Sequence, residues 1–542
     1  MWGMSDAVVV GAGPNGLVAA NLLADAGWTV EVLEAQPEPG GGVRSDHGVR
    51  PDFVSDVCSS FYPLGVGSPV MRSLGLERHG LRWRHAPAVL AHPLPDGRCA
   101  VLERDVRRTA EGLERFGVGD GEAWTRLYEK WEELGGPLLD ALLGPFPPVR
   151  AGATLAARAG PAELLRLMRF LLLPVRRLGE EEFTGPGGPL LLAGSAMHAD
   201  LFPESSGGTA FAWLLAMLGQ SHGWPVPEGG AAELTAALVR RLESRGGRVR
   251  CGTPVTSVVV RNGRALGVRT ASGEAVRATR AVLADVPAPA LYGGLVGWEH
   301  LPPTLRDDMR RFTWDHATFK VDWALSGPVP WAASEAARSG VVHLASGIDA
   351  MTAYNTQLAT GSVPADPFLL VGQMTTADSS RSPSGTESAW AYTHVPQRVT
   401  GDAGPDGITG AWDERDRAAM AGRIESVVER FAPGFRDRIL DRRVLAPPTF
   451  QEHNAGLVNG ALNGGTSVLH QQLVFRPVPG TGRPETPVAR LYLASASAHP
   501  GGGVHGACGA NAARAALRAS GPLGRLVAGP ALSGLQRLLA GG

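Results

Sequence analysis

Three glycines near the N-terminus and one acid have the spacing of a dinucleotide site. Gly11, Gly13 and Gly16 stand in the run Gly-Ala-Gly-Pro-Asn-Gly, and Glu34 follows downstream. In such a loop the first glycine makes a tight turn, the second lets a pyrophosphate approach the backbone, and the third lets a helix pack on a strand. An acid at the position of Glu34 accepts hydrogen bonds from ribose hydroxyls. These residues predict binding of an adenine dinucleotide.

The elements that must position these residues fit the same function. Residues 6–11 read as a short buried strand, the stretch from the loop to about residue 27 as an apolar-periodic helix, and residues 29–33 as a second strand. Because the helix begins at the glycine loop, its free N–H groups and positive dipole end would face the phosphates. The pattern predicts a Rossmann-type unit, and the alternative is a glycine-rich turn that binds no ligand.

A second glycine loop follows at residues 39–45, with the sequence Pro-Gly-Gly-Gly-Val-Arg-Ser. Gly-Gly followed by Arg and Ser at this distance resembles the extended fingerprint of flavin enzymes of the amine oxidase and phytoene desaturase group. In that group the second loop wraps the FAD pyrophosphate, and a basic residue like Arg44 lies beside it. The resemblance implies FAD rather than a simple nicotinamide cofactor, and the alternative is an ordinary flexible loop.

Composition limits the other classes of function. A chain of 542 residues predicts two or three lobes, and a net charge of −1 gives no broad attraction to nucleic acid. The four cysteines are far apart in sequence, so they form neither a C-x-x-C pair nor a zinc pattern, which argues against a disulfide reductase and against a metal site. No basic and apolar leader precedes the first strand, so we expect a reduced, cytoplasmic protein.

Residues 59–222 predict a mostly helical lobe. Its most apolar stretch, residues 161–178, is interrupted by Arg166 and Arg169. About ten apolar residues cannot span a bilayer, which needs about twenty. The stretch is either a helix packed in the lobe or an arginine-flanked helix that dips into a membrane surface at the mouth of a lipophilic tunnel. Residues 526–539 predict a weak amphipathic tail.

Two later segments resemble further parts of the same flavoproteins. Residues 223–290 predict a helix, a small antiparallel sheet and a buried strand, like the second FAD segment, in which the backbone of a valine at the position of Val255 holds the adenine. The alternative for Val255 is a plain strand entry. Residues 490–519 predict a strand, a loop with the sequence His-Pro-Gly-Gly-Gly-Val-His-Gly, and a helix whose N-terminus can point at a flavin.

These loops together resemble the phytoene desaturase family, in a bacterial branch similar to pyridine nucleotide-disulfide oxidoreductase domain-containing protein two. The resemblance implies an α/β fold of the amine oxidase superfamily, in which a mixed α+β substrate domain is inserted into a discontinuous Rossmann-type FAD domain. Residues 1–58, 223–290 and 486–542 would form the FAD domain, residues 59–222 the helical lobe, and residues 291–485 a mixed-sheet substrate domain. The expected FAD contacts are Gly11, Gly13, Pro14, Asn15, Gly16, Glu34, Ala35, Gly41, Gly42, Val43, Arg44, Val255, Ala284, Ser495, Gly503 and Val504.

Three residues are expected to act in catalysis. Lys320 lies on an alternating strand where amine oxidases carry a lysine that reaches a water at flavin N5; the alternative is a surface lysine on a half-buried strand. His505 and His499 lie on either side of the flavin loop. Either could be a general base or a site of covalent flavin attachment, and the alternative is a histidine that stabilises the loop. Tyr392 shares a strand face with His394, and either faces the substrate or packs across strands.

The resemblance implies transfer of a hydride from an apolar small molecule to flavin N5, with formation of a C=C or C=N bond. No second dinucleotide fingerprint is visible, so the electrons should leave to oxygen or a quinone. Three alternatives stay open: a redox-neutral isomerase that uses reduced flavin, a saturating reductase, and a non-catalytic scaffold that binds FAD. The sequence does not indicate an oligomeric state, and membrane contact would be peripheral.

Overall fold

The computed structural model describes residues 3–521, so the expected tail at residues 526–539 lies outside the described residues. The strands are β1 (Gly3–Val10), β2 (Val30–Leu33), β3 (Ser45–Asp46), β4 (Ser55–Asp56), β5 (Trp83–Arg84), β6 (Ala88–Pro93), β7 (Cys99–Leu102), β8 (Val226–Pro227), β9 (Arg248–Arg250), β10 (Val255–Arg261), β11 (Arg264–Thr270), β12 (Ala275–Ala284), β13 (Ala317–Leu325), β14 (Ser339–Leu344), β15 (Ser362–Val363), β16 (Leu369–Gln373), β17 (Glu387–Val395), β18 (Gly401–Asp402), β19 (Ile439–Leu445) and β20 (Leu491–Leu493).

The α-helices are α1 (Pro14–Asp25), α2 (Pro63–Gly67), α3 (Pro69–Ser73), α4 (Val106–Glu114), α5 (Asp120–Leu143), α6 (Val149–Leu172), α7 (Val175–Glu182), α8 (Gly187–Met197), α9 (Gly208–His222), α10 (Ala232–Ser244), α11 (Ala288–Ala290), α12 (Pro303–Met309), α13 (Ile348–Ala359), α14 (Met374–Ala377), α15 (Glu414–Phe431), α16 (Pro447–His453) and α17 (Ala507–Ser520).

The first sheet collects strands from three distant parts of the chain. Its order is β10-β11-β12-β1-β2-β9, with β20 beside β12. Strands β20, β12, β1, β2 and β9 are parallel neighbours, and the run Ala-Val-Val-Val of β1 is fully buried or nearly so, as both faces of a parallel sheet require. The carboxyl ends of these strands therefore meet at one edge, where ligands of open α/β sheets bind.

Strand β12 is longer than the sequence indicates. The pattern predicts two separate strands over residues 274–285, but the structure has one strand of 10 residues. Its first part pairs antiparallel with β11, and most of its length pairs parallel with β1. Arg277 takes part in both sets of pairings, with Gly267 of β11 and Met4 of β1, so its main chain belongs to the strand although its side chain is polar.

The second sheet has the order β19-β13-β17-β16-β14-β6-β7. All nine residues of β13 are buried, so the alternative of Lys320 as a surface lysine is wrong. Phe319, Val321 and Trp323 pack with α15 in one apolar cluster. The opposite face of β13, which carries Lys320 and Asp322, is covered as well, because the Lys320 ammonium contacts the main chain at Asp56.

The helical lobe has a tryptophan-rich core, and α6 crosses its surface with a kink at Gly160. Leu167 and Phe170 point into that core, whereas Leu165 and Met168 are 69% and 54% exposed. One face of this apolar stretch is thus packed against the core, and the other face is exposed to solvent. Within residues 3–521, no helix is long and apolar enough to cross a membrane.

Candidate active site

A cavity of about 810 Å³ extends from the carboxyl edge of the first sheet to the helical lobe. At one end it is lined by the glycine loops and by the residues that follow β2, β12 and β20. At the other end it is lined by an apolar chamber, by which we mean Leu142, Leu143, Phe211, Leu214, Leu215 and Trp224. The volume is in the upper part of the range of roughly 300–1,000 Å³ found for ligand pockets.

The glycines of the first loop stand where a side chain would collide with the neighbouring main chain or with Asp285, as the loop sequence predicts. Gly11 has φ 95°, and a Cβ added there would lie 2.6 Å from the Asp285 carbonyl oxygen. A Cβ on Gly13 would lie 2.7 Å from Asp285 Oδ2. The Ala12 N–H donates to Glu34 Oε2 over 2.7 Å, which fixes the carboxylate in the cavity wall. The Glu34 carboxylate retains lone pairs that can accept a hydrogen bond from a ribose hydroxyl.

The residues around these loops fit a bound pyrophosphate. Helix α1 starts at Pro14, and its N-cap Gly13 makes no side-chain cap, so the helix end can bind an anion. Arg44 donates from Nη2 to the His453 carbonyl oxygen over 2.8 Å, while its buried Nε has no partner among the described residues. The side-chain oxygens of Asn15 and Ser60, in the cavity wall, are likewise buried without a partner in the described chain. The Ser60 hydroxyl and the Arg44 Nε–H are donors from which a pyrophosphate oxygen could accept, whereas Asn15 Oδ1 is an acceptor.

The structure brings most of the expected residues to this cavity. The expected residues in its wall are Gly11, Gly13, Pro14, Asn15, Glu34, Ala35, Gly41, Gly42, Val43, Val255, Tyr392, Ser495, Gly503, Val504 and His505. Gly16, Arg44, Ala284 and Lys320 are expected residues that the wall does not include.

Gly16 and Ala284 lie behind the wall for a structural reason. A Cβ on Gly16 would lie 2.3 Å from the Gly11 carbonyl oxygen, so this glycine allows the helix to approach the strand. Ala284 is fully buried in the sheet, and its carbonyl oxygen accepts from the Ala494 N–H over 2.8 Å. At this strand end the cavity is lined by the neighbouring Asp285 and not by Ala284. The contact of Ala284 with the cofactor stays a prediction.

Asp285 is a site residue that sequence reasoning missed. Its Oδ2 accepts from the Gly16 N–H over 2.7 Å, directly below the glycine loop. Burial, with a smaller contribution from the charge of Glu34, raises the pKa of Asp285 to about 7. The available signal was the acid that directly follows the apolar end of β12, opposite the first glycine turn.

The third loop brings Gly503 and His505 to the middle of the cavity. Gly503 has φ 109°, and a Cβ there would lie 2.8 Å from Leu64 Cδ1. His505 Nδ1 accepts from the Ala507 N–H over 3.0 Å, and burial lowers the pKa of His505 to about 4. Because this lone pair is already occupied, the geometry favours a loop-stabilising His505 over a general base. His499 Nε2 lies 3.1 Å from the Gly144 carbonyl oxygen, and His499 is not part of the wall.

Lys320 lies one layer behind the wall. Its Nζ donates to Asp322 Oδ1 over 2.5 Å and to the Asp56 carbonyl oxygen over 2.6 Å. The same Nζ is 5.9 Å from the ring centre of Trp390, which lines the cavity. An ammonium has three N–H donors, so one is left for a water or a polar group beyond these two partners.

Polar side chains interrupt the apolar chamber along β17. Tyr392 stacks on Trp390, and its hydroxyl lies 3.4 Å from His198 Nδ1. His198 Nε2 in turn lies 2.8 Å from His343 Nε2. Burial raises the pKa of Tyr392 above its ordinary value and lowers that of His198 to about 3, so both side chains are neutral. His198 and Trp224 are further wall residues that the sequence did not single out.

Comparison with known proteins identifies the family. The family model described as "Flavin containing amine oxidoreductase" matches residues 15–517, so this chain belongs to that family. Pyridine nucleotide-disulfide oxidoreductase domain-containing protein 2 of Rattus norvegicus is 27% identical, over 95% of this chain and 93% of its own length. Phytoene desaturase (lycopene-forming) of Pseudescherichia vulneris is 26% identical, over 95% of this chain and 99% of its own length.

The fold also matches solved structures. Putrescine oxidase bound to putrescine has a TM-score of 0.58 at 18% identity, covering 95% of this chain and 98% of that one. An oxidoreductase from Methanosarcina mazei has a TM-score of 0.61 at 16% identity, covering 94% of this chain and 99% of that one. At such identities the likeness shows the fold alone. The predicted family and the predicted α/β fold with a separate mixed sheet are confirmed.

Proposed function

We propose that this member of the flavin-containing amine oxidoreductase family is an FAD-dependent oxidoreductase that removes a hydride from an apolar small molecule and passes the electrons to oxygen or a quinone. The observation that carries the proposal is one cavity that joins a dinucleotide-type set of loops to an apolar chamber. Relatives named as phytoene and hydroxyneurosporene desaturases agree with an apolar substrate and a C=C product.

The chain's own residues would hold the cofactor along the cavity. The first two glycine loops and the start of α1 would bind the pyrophosphate, with Arg44 behind them, whose buried Nε has no hydrogen-bond partner among the described residues. Glu34 would accept from the ribose, and the backbone at Val255 would meet the adenine. FAD, when bound, supplies a two-electron acceptor. The protein then orients the substrate and excludes water through the apolar chamber.

Anaerobic reduction of the bound flavin tests this function. We expect the FAD-loaded protein to lose its absorbance near 450 nm when the correct apolar substrate is added without oxygen, and to regain it when oxygen or a quinone is admitted. Conversion of substrate without net oxidation would instead indicate an isomerase. If no compound in a broad panel of apolar molecules reduces the flavin, the proposal is contradicted, and a non-catalytic scaffold that binds FAD is favoured.

The position of Asp285 predicts that FAD binds more weakly as the pH rises through about 7. Below that pH the Asp285 carboxyl is protonated, and above it the carboxylate repels the pyrophosphate placed on the adjacent loop. Binding at pH 8 should therefore take up a proton, which calorimetry in two buffers of different ionisation enthalpy detects. In Asp285→Asn this proton uptake should vanish; uptake that persists in the variant would place the titrating group elsewhere.

We also propose that Lys320 assists flavin reoxidation from behind the wall, through its remaining N–H. Lys320→Met should slow reoxidation by oxygen at least tenfold in stopped-flow measurements, while FAD content stays unchanged. Asp322 would keep one cationic partner in this variant, because Arg443 Nη2 lies 2.9 Å from Asp322 Oδ2. Lys130→Met is the matched control, since Lys130 lies over the Phe170 ring in the helical lobe. Equal rates in the two variants would contradict the role.

A further inference from the structure

Three hydrogen-bonding side chains lead from the interior of the second sheet to the wall of the cavity. His343 is fully buried and lies outside the wall, whereas His198 and Tyr392 both line the cavity. His343 Nε2 lies 2.8 Å from His198 Nε2, and His198 Nδ1 lies 3.4 Å from the Tyr392 hydroxyl. Every one of these groups can donate or accept, so the direction of donation depends on what surrounds them.

Helix α8 fixes the position of the proton on His343. Gly194 in this helix has no side chain, and a Cβ there would lie 2.0 Å from His343 Nδ1. The Gly194 hydrogen in that direction therefore already meets Nδ1, and a hydrogen on the nitrogen would collide with it. Burial lowers the pKa of His343 well below its ordinary value, so the ring is neutral and carries one proton. That proton belongs on Nε2.

The proton on His343 sets the direction of the two following hydrogen bonds. His343 donates from Nε2–H, so His198 Nε2 must carry a lone pair. Because His198 is also neutral, its own proton is on Nδ1, and there it donates to the Tyr392 oxygen. The Tyr392 hydroxyl proton is thus directed away from His198. Within residues 3–521 the hydroxyl has no second hydrogen-bond partner that could accept this proton.

The neighbours of Tyr392 hold its ring in place. The ring stacks on Trp390 with ring centres 5.7 Å apart, and the His394 ring lies edge-on to it at 5.8 Å. Both neighbours also line the cavity. His394 Nδ1 is buried without a hydrogen-bond partner in the described part of the chain, so it does not accept from Tyr392. The unused O–H donor is therefore held at one place beside the apolar chamber.

We infer that Tyr392 donates a hydrogen bond from the cavity wall to a carbonyl or ether oxygen of the substrate, and that His198 and His343 are positioning residues that direct this hydroxyl. A donor that the substrate covers without supplying an acceptor costs free energy, and such an oxygen would satisfy it. A pure hydrocarbon offers no acceptor. The inference rests on the proposed function and narrows its substrate to an apolar molecule with an oxygen acceptor at this point.

Binding of matched probes tests the inference without turnover. Decane lacks the carbonyl group that 2-decanone carries near its end and 5-decanone near its middle. Binding to the FAD-loaded protein can be followed by the fluorescence of the cavity tryptophans Trp224 and Trp390. Tyr392→Phe should weaken the binding of at least one ketone about tenfold, the equivalent of one hydrogen bond, and leave decane binding unchanged. Tyr128→Phe is the matched control, because Tyr128 is a half-buried tyrosine of α5 outside the cavity wall.

The role of the two histidines can be tested in the intact protein. Long-range proton–nitrogen NMR correlations of histidine labelled with ¹⁵N distinguish an Nδ1–H imidazole from an Nε2–H imidazole. His198→Phe assigns the His198 signals through their loss. We expect the Nδ1–H form at His198, which a purely packing role would not require. The Nε2–H form at His198, or binding of both ketones that is unchanged in Tyr392→Phe, would overturn the inference.

The same measurements separate this inference from the proposed function. Flavin reduction by a pure hydrocarbon, with ketone binding that does not depend on Tyr392, would overturn the inference and leave the proposed function intact. A flavin that no apolar compound reduces, in a protein whose ketone binding does depend on Tyr392, would contradict the proposed function and leave the hydrogen bond from Tyr392 in place.

Discussion

Replacing Gly13 by alanine should reduce FAD affinity at least a hundredfold, equivalent to about 2.7 kcal/mol. The added Cβ would lie 2.7 Å from Asp285 Oδ2, and Asp285 cannot easily retreat because the same oxygen accepts from the Gly16 N–H. The methyl group would also occupy the space through which a pyrophosphate approaches the backbone. FAD content after purification and titration of the apoprotein with FAD measure the effect.

Gly136→Ala provides the matched control for this change. Gly136 is an exposed glycine inside α5, and a Cβ there meets nothing within 4 Å. We expect unchanged FAD affinity and a slightly more stable helix, by roughly 0.5–1 kcal/mol. If Gly13→Ala bound FAD as tightly as Gly136→Ala, the first glycine loop would not be the pyrophosphate site.

The second large effect is expected at Arg381, whose replacement by methionine should destabilise the fold by roughly 3–5 kcal/mol. Arg381 is fully buried, with Nη1 3.0 Å from Asp56 Oδ1 and Nε 3.1 Å from Asp378 Oδ2. Its Nη2 also donates to the Pro227 carbonyl oxygen over 3.1 Å. Removing the guanidinium leaves two buried carboxylates without their cation, next to the segment that leads into the cavity wall at Cys58.

Chemical denaturation followed by circular dichroism measures this loss. Arg310→Met is the control, because the Arg310–Asp307 pair has side chains that are 77% and 63% exposed. An exposed pair of this kind contributes at most about 1 kcal/mol, and usually less. An Arg381→Met protein as stable as Arg310→Met would show that the buried cluster is not a main support of this wall.

The glycine loops could be predicted because their signal is local. Tight turns, close approaches and the start of a helix depend on neighbouring residues, so Gly11 and Gly13 could be selected from spacing, and Gly503 from the resemblance of its loop to the flavoprotein family. Asp285 could not be, because its bond to Gly16 joins residues 269 positions apart in sequence. The apolar run before it, residues 281–284, indicated only the end of a buried strand.

The residues at the substrate end of the cavity were less predictable, because they also come from distant parts of the chain. Alternation placed Lys320 and Asp322 on one face of a strand, but it could not show that residues near Asp56 cover that face. Asp200 lies between two apolar helices with no motif around it, and it comes within electrostatic range of His394 only after the lobe and the second sheet have packed together. Unsatisfied atoms such as Asp200 Oδ1 become visible only once every other partner has been placed.

The most direct test of the account is the stoichiometry of FAD in the purified protein after incubation with excess FAD and removal of the free cofactor. We expect one FAD per chain, with an absorbance spectrum shifted from that of free FAD by the apolar surroundings. A protein that stays colourless and retains no FAD would contradict the central claim that three distant loops form one flavin site.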